Sequence, residues 1–408
     1  MTRILIAAAG SYGDVAPYTG LGARLREAGH DVALATHDSF APLVTAAGLD
    51  FRPLPAGPDR RGPAAGQGSG ELMRTARAFV RKLGDGLADA ADRGADLLLL
   101  STTTAPLGWQ LAEAMDVPAI GTYLQPTHPT RDFPPVVGGT RSLGGFANRA
   151  LGRFSLRMVD RVYADAVRDL RARLALPGVK PGEVRARQER EGRQVLHGFS
   201  AAVVPRPADW RPGLDVVGNW WPHDDQERPL PPELDAFLRA GPPPVFIGFG
   251  SMAAGEGERL SEIAVTALRA AGLRGVLQSG RAELAASGDD IVTVGEVPHA
   301  RLFPWVAAVV HHAGAGTTAA ALRAGVPAVP VPVMADQPFW AARLAALGAA
   351  TAPVPFKELT APRLADALGR AVREPGHASA AARLARAMAA EDGAGQVLKE
   401  VERIVGSE

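Results

Sequence analysis

The segment Val309-Val310-His311-His312-Ala313-Gly314-Ala315-Gly316-Thr317-Thr318-Ala319-Ala320-Ala321-Leu322 sets histidines, glycines and threonines between an apolar run and a helical pattern. A strand entering a helix through a small-residue turn collects unpaired backbone N–H groups and the positive end of a helix dipole, which suit a phosphate. Gly314 and Gly316 let a ligand approach the main chain, Thr317 and Thr318 add hydroxyl donors, and His312 can give a charge-assisted hydrogen bond to a diphosphate oxygen. The same residues also serve a plain strand-to-helix turn with threonine as N-cap. Further on, Met334-Ala335-Asp336-Gln337-Pro338 follows another apolar run. An Asp-Gln pair can accept and donate hydrogen bonds to sugar hydroxyls; Asp336 as N-cap with Pro338 just inside the helix is the purely structural alternative. Near the amino terminus, Asp14 closes Gly10-Ser11-Tyr12-Gly13-Asp14, after a short apolar run. A carboxylate on a loop there can take a proton as general base or cap the next helix.

Composition narrows the chemistry. The chain has 408 residues, enough for two or three domains, with 47% hydrophobic and 21% charged residues. Such a chain can bury enough surface to offset its ordering entropy. Lys plus Arg is 44 against 43 for Asp plus Glu, a net charge of +1, so no basic excess favours nucleic acid. The absence of cysteine excludes disulfides, cysteine-ligated zinc, iron–sulfur clusters and cysteine nucleophiles. No paired carboxylates accompany the motifs; Asp224-Asp225, the nearest such pair, falls in a polar, proline-rich stretch, so neither a metal ligand set nor a cofactor is expected. The apolar run Ile4 to Ala9 is too short for a signal sequence, and no run of ~20 apolar residues could span a bilayer, so a cytoplasmic protein without stable membrane insertion is expected.

These residues need elements to position them. Arg3–Ala8, Asp31–Thr36, Asp96–Leu100 and Val117–Thr122 read as strands, with a helix over Tyr18–Ala28 stopped by Gly29. Pro53–Gly70 and Gln125–Gly145 are dense in glycine and proline and read as long loops. Asn148–Leu176 is amphipathic, with Leu151, Phe154, Met158, Val162, Val167 and Leu170 on one face and arginines elsewhere. After the stretch Trp220–Pro232 the pattern restarts, with strands over Pro244–Phe249, Gly275–Gln278, Ile291–Val294, Ala308–His311 and Ala328–Val331, then helix through Leu359–Val405. Alternating strands and helices predict an α/β chain with parallel sheets. The restart predicts two similar doubly wound domains, 1–214 and 236–385, joined by a linker over 215–235 and followed by a terminal helix over 386–408 that packs back on the first. Open sheets bind ligands at their carboxyl ends, so two domains facing across a cleft predict a two-substrate site.

Several segments together carry a resemblance. They are Val297-Pro298-His299 through Leu302-Phe303-Pro304, His311-His312 through Thr318, Ala324-Gly325-Val326-Pro327 and Asp336-Gln337-Pro338-Phe339-Trp340, with Gly10 through Pro17, Gly29-His30 and Phe249-Gly250-Ser251-Met252 in support. The region Val294–Trp340 resembles the nucleotide-sugar-binding signature of the family 1, GT-B-fold glycosyltransferases, above all the sterol glucosyltransferases and bacterial antibiotic glycosyltransferases. The resemblance implies two Rossmann-like domains and transfer of a sugar from a UDP- or dTDP-sugar, glucose first among candidates, to a hydrophobic alcohol such as a sterol, terpenoid or polyketide. By resemblance His312 contacts the β-phosphate; Gly314, Gly316 and Thr317, with Ser251, hold the phosphates; the Val297 backbone meets the nucleobase; Asp336 and Gln337 bind the sugar; Asp14 is the base. Ala313 departs from the pattern, which usually has glycine there.

Inverting transfer would need these roles, since an acceptor hydroxyl must lose a proton and the departing diphosphate must be stabilised. His30 reads as a helix-end residue and His299 as a packing residue. The acceptor side is thinner. Ser11, Trp109, Tyr123, His128 and Phe133 are candidates to line it, although the aromatics serve equally as core and His128 reads first as solvated. Two rival readings are a non-catalytic nucleotide-sugar or ligand-binding auxiliary protein and a nucleotide-sugar epimerase; the latter would need further acid–base groups that the sequence does not offer.

Overall fold

A computed structural model describes residues 1–55, 69–223, 228–250 and 255–406. The expectations placed on Ser251, on Asp224-Asp225 and on most of the Pro53–Gly70 loop fall outside the described residues. The first domain runs β1 (Arg3–Ala7), α1 (Tyr12–Glu27), β2 (Asp31–His37), α2 (Ala41–Ala46), β3 (Asp50–Leu54), α3 (Ser69–Ala91), β4 (Leu97–Leu100), α4 (Ala105–Met115), β5 (Ala119–Tyr123), α5 (Gly145–Arg173), α6 (Glu183–Arg190), β6 (Val195–His197) and β7 (Leu214–Val216). The second follows with α7 (Pro232–Arg239), β8 (Val245–Gly248), α8 (Gly257–Ala271), β9 (Gly275–Gln278), β10 (Ile291–Val294), α9 (His299–Leu302), β11 (Ala308–His311), α10 (Ala315–Arg323), β12 (Ala328–Pro330), α11 (Gln337–Ala346), α12 (Ala361–Arg373), α13 (Pro375–Ala389) and α14 (Gly393–Val405).

All strand pairs within both sheets are parallel. The first sheet has order β3-β2-β1-β4-β5-β6-β7 and the second β10-β9-β8-β11-β12. Their central strands read as unbroken apolar runs, Leu97–Leu100 being four leucines, because helices cover both faces. Each order reverses direction once, between β1 and β4 in the first sheet and between β8 and β11 in the second. The loops leaving those strands therefore open a crevice at the carboxyl edge, where open α/β sheets take ligands.

Three strands are not legible in the sequence. β3 carries Pro53, which reads as the start of a loop, and β6 and β7 are each three residues long. Because β7 completes the first sheet, the boundary at 214 falls inside it, and the linker stretch from 215 takes its first residues from that strand.

The domains share apolar contact. Val136, Phe199, Val203 and Trp210 of the first form one buried cluster with Ala313, Phe339, Trp340 and Leu344 of the second. The guanidinium of Arg343 donates to the Val203 carbonyl at 2.6 and 3.1 Å across the same seam. The chain then returns: Val397 and Val401 of α14 are buried with Ile4, Leu21 and Leu25 in the core of the first domain.

Candidate active site

Asp14 stands on a helix rather than on a loop. Gly13 and Pro17 make the sequence read as irregular up to Tyr18, but α1 begins at Tyr12. The reason is a capping box. Ser11 is the N-cap, and its backbone N–H and its hydroxyl each donate to Asp14 Oδ2 at 2.8 Å. Gly10 has φ +151°, and a Cβ there would stand 2.5 Å from the same oxygen, so the cap closes only over glycine. The second oxygen, Oδ1, faces the Gln125 amide nitrogen at 3.5 Å, the long limit of a hydrogen bond. Gln125 Oε1 faces the Thr102 hydroxyl at 3.3 Å. Three strand ends, those of β1, β4 and β5, thus converge on one half-buried carboxylate. Capping occupies one oxygen of Asp14 and leaves the other toward the crevice side of the sheet. In the sequence Gln125 marks only the start of a loop, since no local pattern links it to a residue so distant in the chain.

The second switch point carries the phosphate-type loop. His311, fully buried at the end of β11, accepts the Ala313 N–H on Nδ1 at 3.1 Å. That bond holds Ala313 at φ +61°, in the left-handed region where a glycine would sit without strain. Gly314, not a threonine, is the N-cap of α10, so the N–H groups of Ala315, Gly316 and Thr317 have no partner within the helix. Thr318 is turned into the core, which leaves Thr317 as the hydroxyl at the helix start.

His312 lies over two glycines. A Cβ on Gly314 would stand 2.5 Å from its Nε2, and one on Gly250, in the loop just after β8, 3.3 Å from its Cε1. Its Nδ1 is buried without a partner among the described residues. Desolvation pulls the His312 pKa down to about 4, so the imidazole is neutral at pH 7. The charge-assisted hydrogen bond read from the sequence therefore starts as a neutral one, and only an arriving anion would charge the ring.

Val297 has its side chain in the core beside Leu302 and Phe303, leaving its main chain alone to face a ligand. Asp336 is the N-cap residue of α11 with Pro338 in the first turn, yet its carboxylate holds the Trp340 indole N–H at 2.9 Å instead of capping. Gln337 Oε1 accepts the Val333 and Met334 N–H groups at 2.8 and 3.0 Å, so its amide nitrogen is the group it can offer a hydroxyl. His299 packs, stacked on Phe303 with ring centroids 4.4 Å apart.

Acceptor candidates divide. Trp109, on α4, is buried in the core of the first domain, where its side chain hydrogen-bonds Tyr123. Tyr123 stacks on His128 with centroids 5.8 Å apart. His128 is partly buried rather than simply solvated: its Nδ1 lies 3.3 Å from His197 Nε2, in an aromatic group with Trp210, and burial pulls its pKa well below the usual value. Ser11 is exposed at the start of α1. Phe133 reaches across the seam to Phe339, with centroids 5.2 Å apart, one residue beyond the Asp336-Gln337-Pro338 turn. The loop after β5 and the turn that opens α11 are thereby in direct contact.

Two parallel α/β domains joined along their carboxyl edges, one with a phosphate-type loop, define the GT-B architecture. The amino-terminal region, residues 4–86, matches the glycosyltransferase family 28 N-terminal domain, and residues 275–404 match the erythromycin biosynthesis protein CIII-like, C-terminal domain. The chain is 38% identical to an O-mycaminosyltylonolide 6-deoxyallosyltransferase of Streptomyces fradiae, covering 96% of this chain and 94% of that one. It is 33% identical to a sterol 3-beta-glucosyltransferase of Arabidopsis thaliana, covering 97% of this chain and 64% of the relative. Among solved structures, the glycotransferase of kitacinnamycin superposes with a TM-score of 0.75 at 20% identity, covering 99% of each chain. Glycosyltransferase VinC in complex with dTDP superposes with 0.68 at 20% identity, covering 100% of each. This protein belongs to the GT-B-fold, family 1 glycosyltransferases, the group that includes antibiotic and sterol glycosyltransferases. It is accordingly an enzyme, which sets aside the auxiliary-protein reading.

Proposed function

We propose that this enzyme transfers a hexosyl group, with inversion, from a UDP- or dTDP-sugar to a hydroxyl of a hydrophobic small molecule. The observation that carries this reading is the division of Asp14: Oδ2 is held by the helix cap and Oδ1 is presented beside Gln125 at the switch point of the acceptor-side sheet. In the reaction the acceptor oxygen forms a bond to the anomeric carbon from the face opposite the diphosphate. The bond from that carbon to the phosphate oxygen breaks, the hydroxyl proton passes to Asp14, and the diphosphate leaves with the added negative charge. The unpaired N–H groups at the start of α10 and the His312 ring would receive that charge.

Glucose is the leading donor sugar, with the Gln337 amide giving and Asp336 accepting hydrogen bonds at its hydroxyls. A 6-deoxyhexose is a second reading, favoured by the 6-deoxyallosyltransferase named above. The acceptor class follows from the same relatives: a macrolide-like polyketide or a sterol. The test offers purified protein UDP- and dTDP-glucose and a dTDP-6-deoxyhexose against sterols, macrolides and aromatic polyketides, with mass-spectrometric detection. A product heavier by one glycosyl unit supports the reading and selects the donor. Absence of any donor binding in calorimetry would overturn it.

A further inference from the structure

Helix α5 buries only the second half of the apolar face that its sequence advertises, with Leu170 in the core and Val162 and Val167 packed against it. Its buried residues are Asn148, Gly152, Tyr163, Ala166, Leu170 and Arg171. The first half of that stripe faces outward, Phe154 being 54% and Leu151 39% exposed, and Phe146, ahead of the stripe in the first turn, is 86% exposed. The preceding loop adds Val137 and Leu143, each 59% exposed. Asn148 pins that loop to the helix, donating to the Arg131 carbonyl at 3.1 Å and the Ser142 hydroxyl at 2.9 Å and accepting the Leu143 N–H at 3.2 Å. The patch is therefore a built surface.

Beside it runs a row of cations. Arg149, Arg153, Arg157 and Arg161 recur every fourth residue and so share one side of the helix, and Arg141 lies on the pinned loop. No Asp or Glu occurs between Phe133 and Val159. Asp160, at the end of that stretch, is taken by Arg185 at 2.6 Å, and Arg149 lies 3.6 Å from Asp209. Arg141, Arg153 and Arg157 have no acidic partner among the described residues. Exposed phenylalanines and leucines edged by arginines, with no intervening acid, have the form of a helix that lies in a lipid–water interface.

We propose that the amino-terminal half of α5 and the loop 137–143 dock the enzyme on an anionic lipid bilayer, peripherally and without insertion of a spanning helix. Charge selects this occupant. A second copy of the chain meeting it through the same patch brings the same arginines and no acid from this stretch, so it offers them no opposite charge. A bilayer of anionic lipid gives those arginines phosphate partners while its acyl boundary receives Phe146, Leu151 and Phe154. The patch adjoins the loop after β5, since a Cβ on Gly152 would stand 3.0 Å from Pro129 Cα. That the docked face admits a hydrophobic acceptor from the bilayer rests on the function proposed above; the docking itself does not.

The test is sedimentation with vesicles of phosphatidylcholine alone and of phosphatidylcholine mixed with phosphatidylglycerol, at low and high salt. Binding is expected on the anionic vesicles, weak on the neutral ones and reduced by salt. Arg153→Gln with Arg157→Gln should lower partitioning about fivefold for each arginine. Phe146→Ser with Phe154→Ser should lower it about tenfold or more. All four side chains are solvent-facing, so circular dichroism and calorimetric donor binding should match the parent protein. Failure of the parent to bind anionic vesicles, or binding unchanged in both double variants, would overturn the proposal. Loss of a concentration-dependent dimer in the phenylalanine variant, without vesicle binding by the parent, would reassign the patch to self-association. Neither outcome touches the transferase reading, which the donor-binding arm checks separately.

Discussion

At the scale of single residues, Asp14 and His312 each have a second duty that fixes how a mutation must be read. Asp14→Asn keeps an oxygen for the Ser11 N–H, so α1 should retain its start while the base is lost. Turnover is expected to fall by about 10²–10⁴, the usual share of a general base, with donor affinity within about twofold of the parent. Single-turnover kinetics alongside calorimetry separates these, and unchanged turnover would remove Asp14 as base. His312 is held neutral by burial, with a pKa of about 4. A bound diphosphate would raise that value, so donor binding should take up a proton and tighten as pH falls from 7 toward 5. Measuring the binding enthalpy of the intact nucleotide sugar in buffers of different ionisation enthalpy reads this uptake directly. The intact sugar is the right probe because neither of its phosphates titrates in that range. His312→Ala should abolish the uptake and weaken binding.

At the scale of elements, the sequence reveals what lies in periodic or contiguous patterns and hides what lies in pairings between distant residues. β9, β10 and β11 are legible to the residue because apolar runs end abruptly at turn residues. β6 and β7 are not, being three residues each and defined by their neighbours in the sheet. The strand–turn–helix over His311–Thr318 is readable from its own residues, whereas Gln125 becomes visible only when β5 is laid beside β4. The first half of the apolar stripe of α5 misleads, because periodicity reports that a face is apolar and not what covers it. The capping box of α1 is readable in principle from Ser11 and Asp14 but is masked by Gly13 and Pro17. Gly314 tests the loop as an element. A methyl group there would meet His312 Nε2 at 2.5 Å, so Gly314→Ala should displace the ring and weaken donor binding at least about tenfold, the loss of one charge-assisted contact. Gly316, where an added Cβ would meet nothing within 4 Å, is the control, and Gly316→Ala should leave the fold intact with a smaller loss.

At the scale of the whole molecule, buried histidines make stability depend on pH in both domains. Burial holds His197, His299 and His312 at about 4 and His311 at about 3. In the unfolded chain each returns to about 6.5. Below that pH the unfolded state binds more protons than the folded one, so the stability present above about 6.5 is lost as pH falls toward 4, at up to about 1.4 kcal/mol per pH unit for each histidine. Carboxylates act in a lower window. Glu113, held at about 2 by hydrogen bonds from Arg171 and Arg187, loses its contribution only as pH falls from the ordinary carboxylate range toward 2. Denaturant unfolding between pH 7.5 and 5 should therefore show a steady loss of stability before carboxylates titrate. His299→Phe, which keeps a ring over Phe303, should make that slope shallower by about one proton. A flat profile from 7 to 5 would mean that these rings are charged in the folded protein. Saturating nucleotide sugar should flatten the slope further, because a His312 charged by its ligand no longer opposes acidification. The same proton would then appear twice, once in binding and once in unfolding, and agreement between the two would tie the phosphate-type loop to the stability of the domain that carries it.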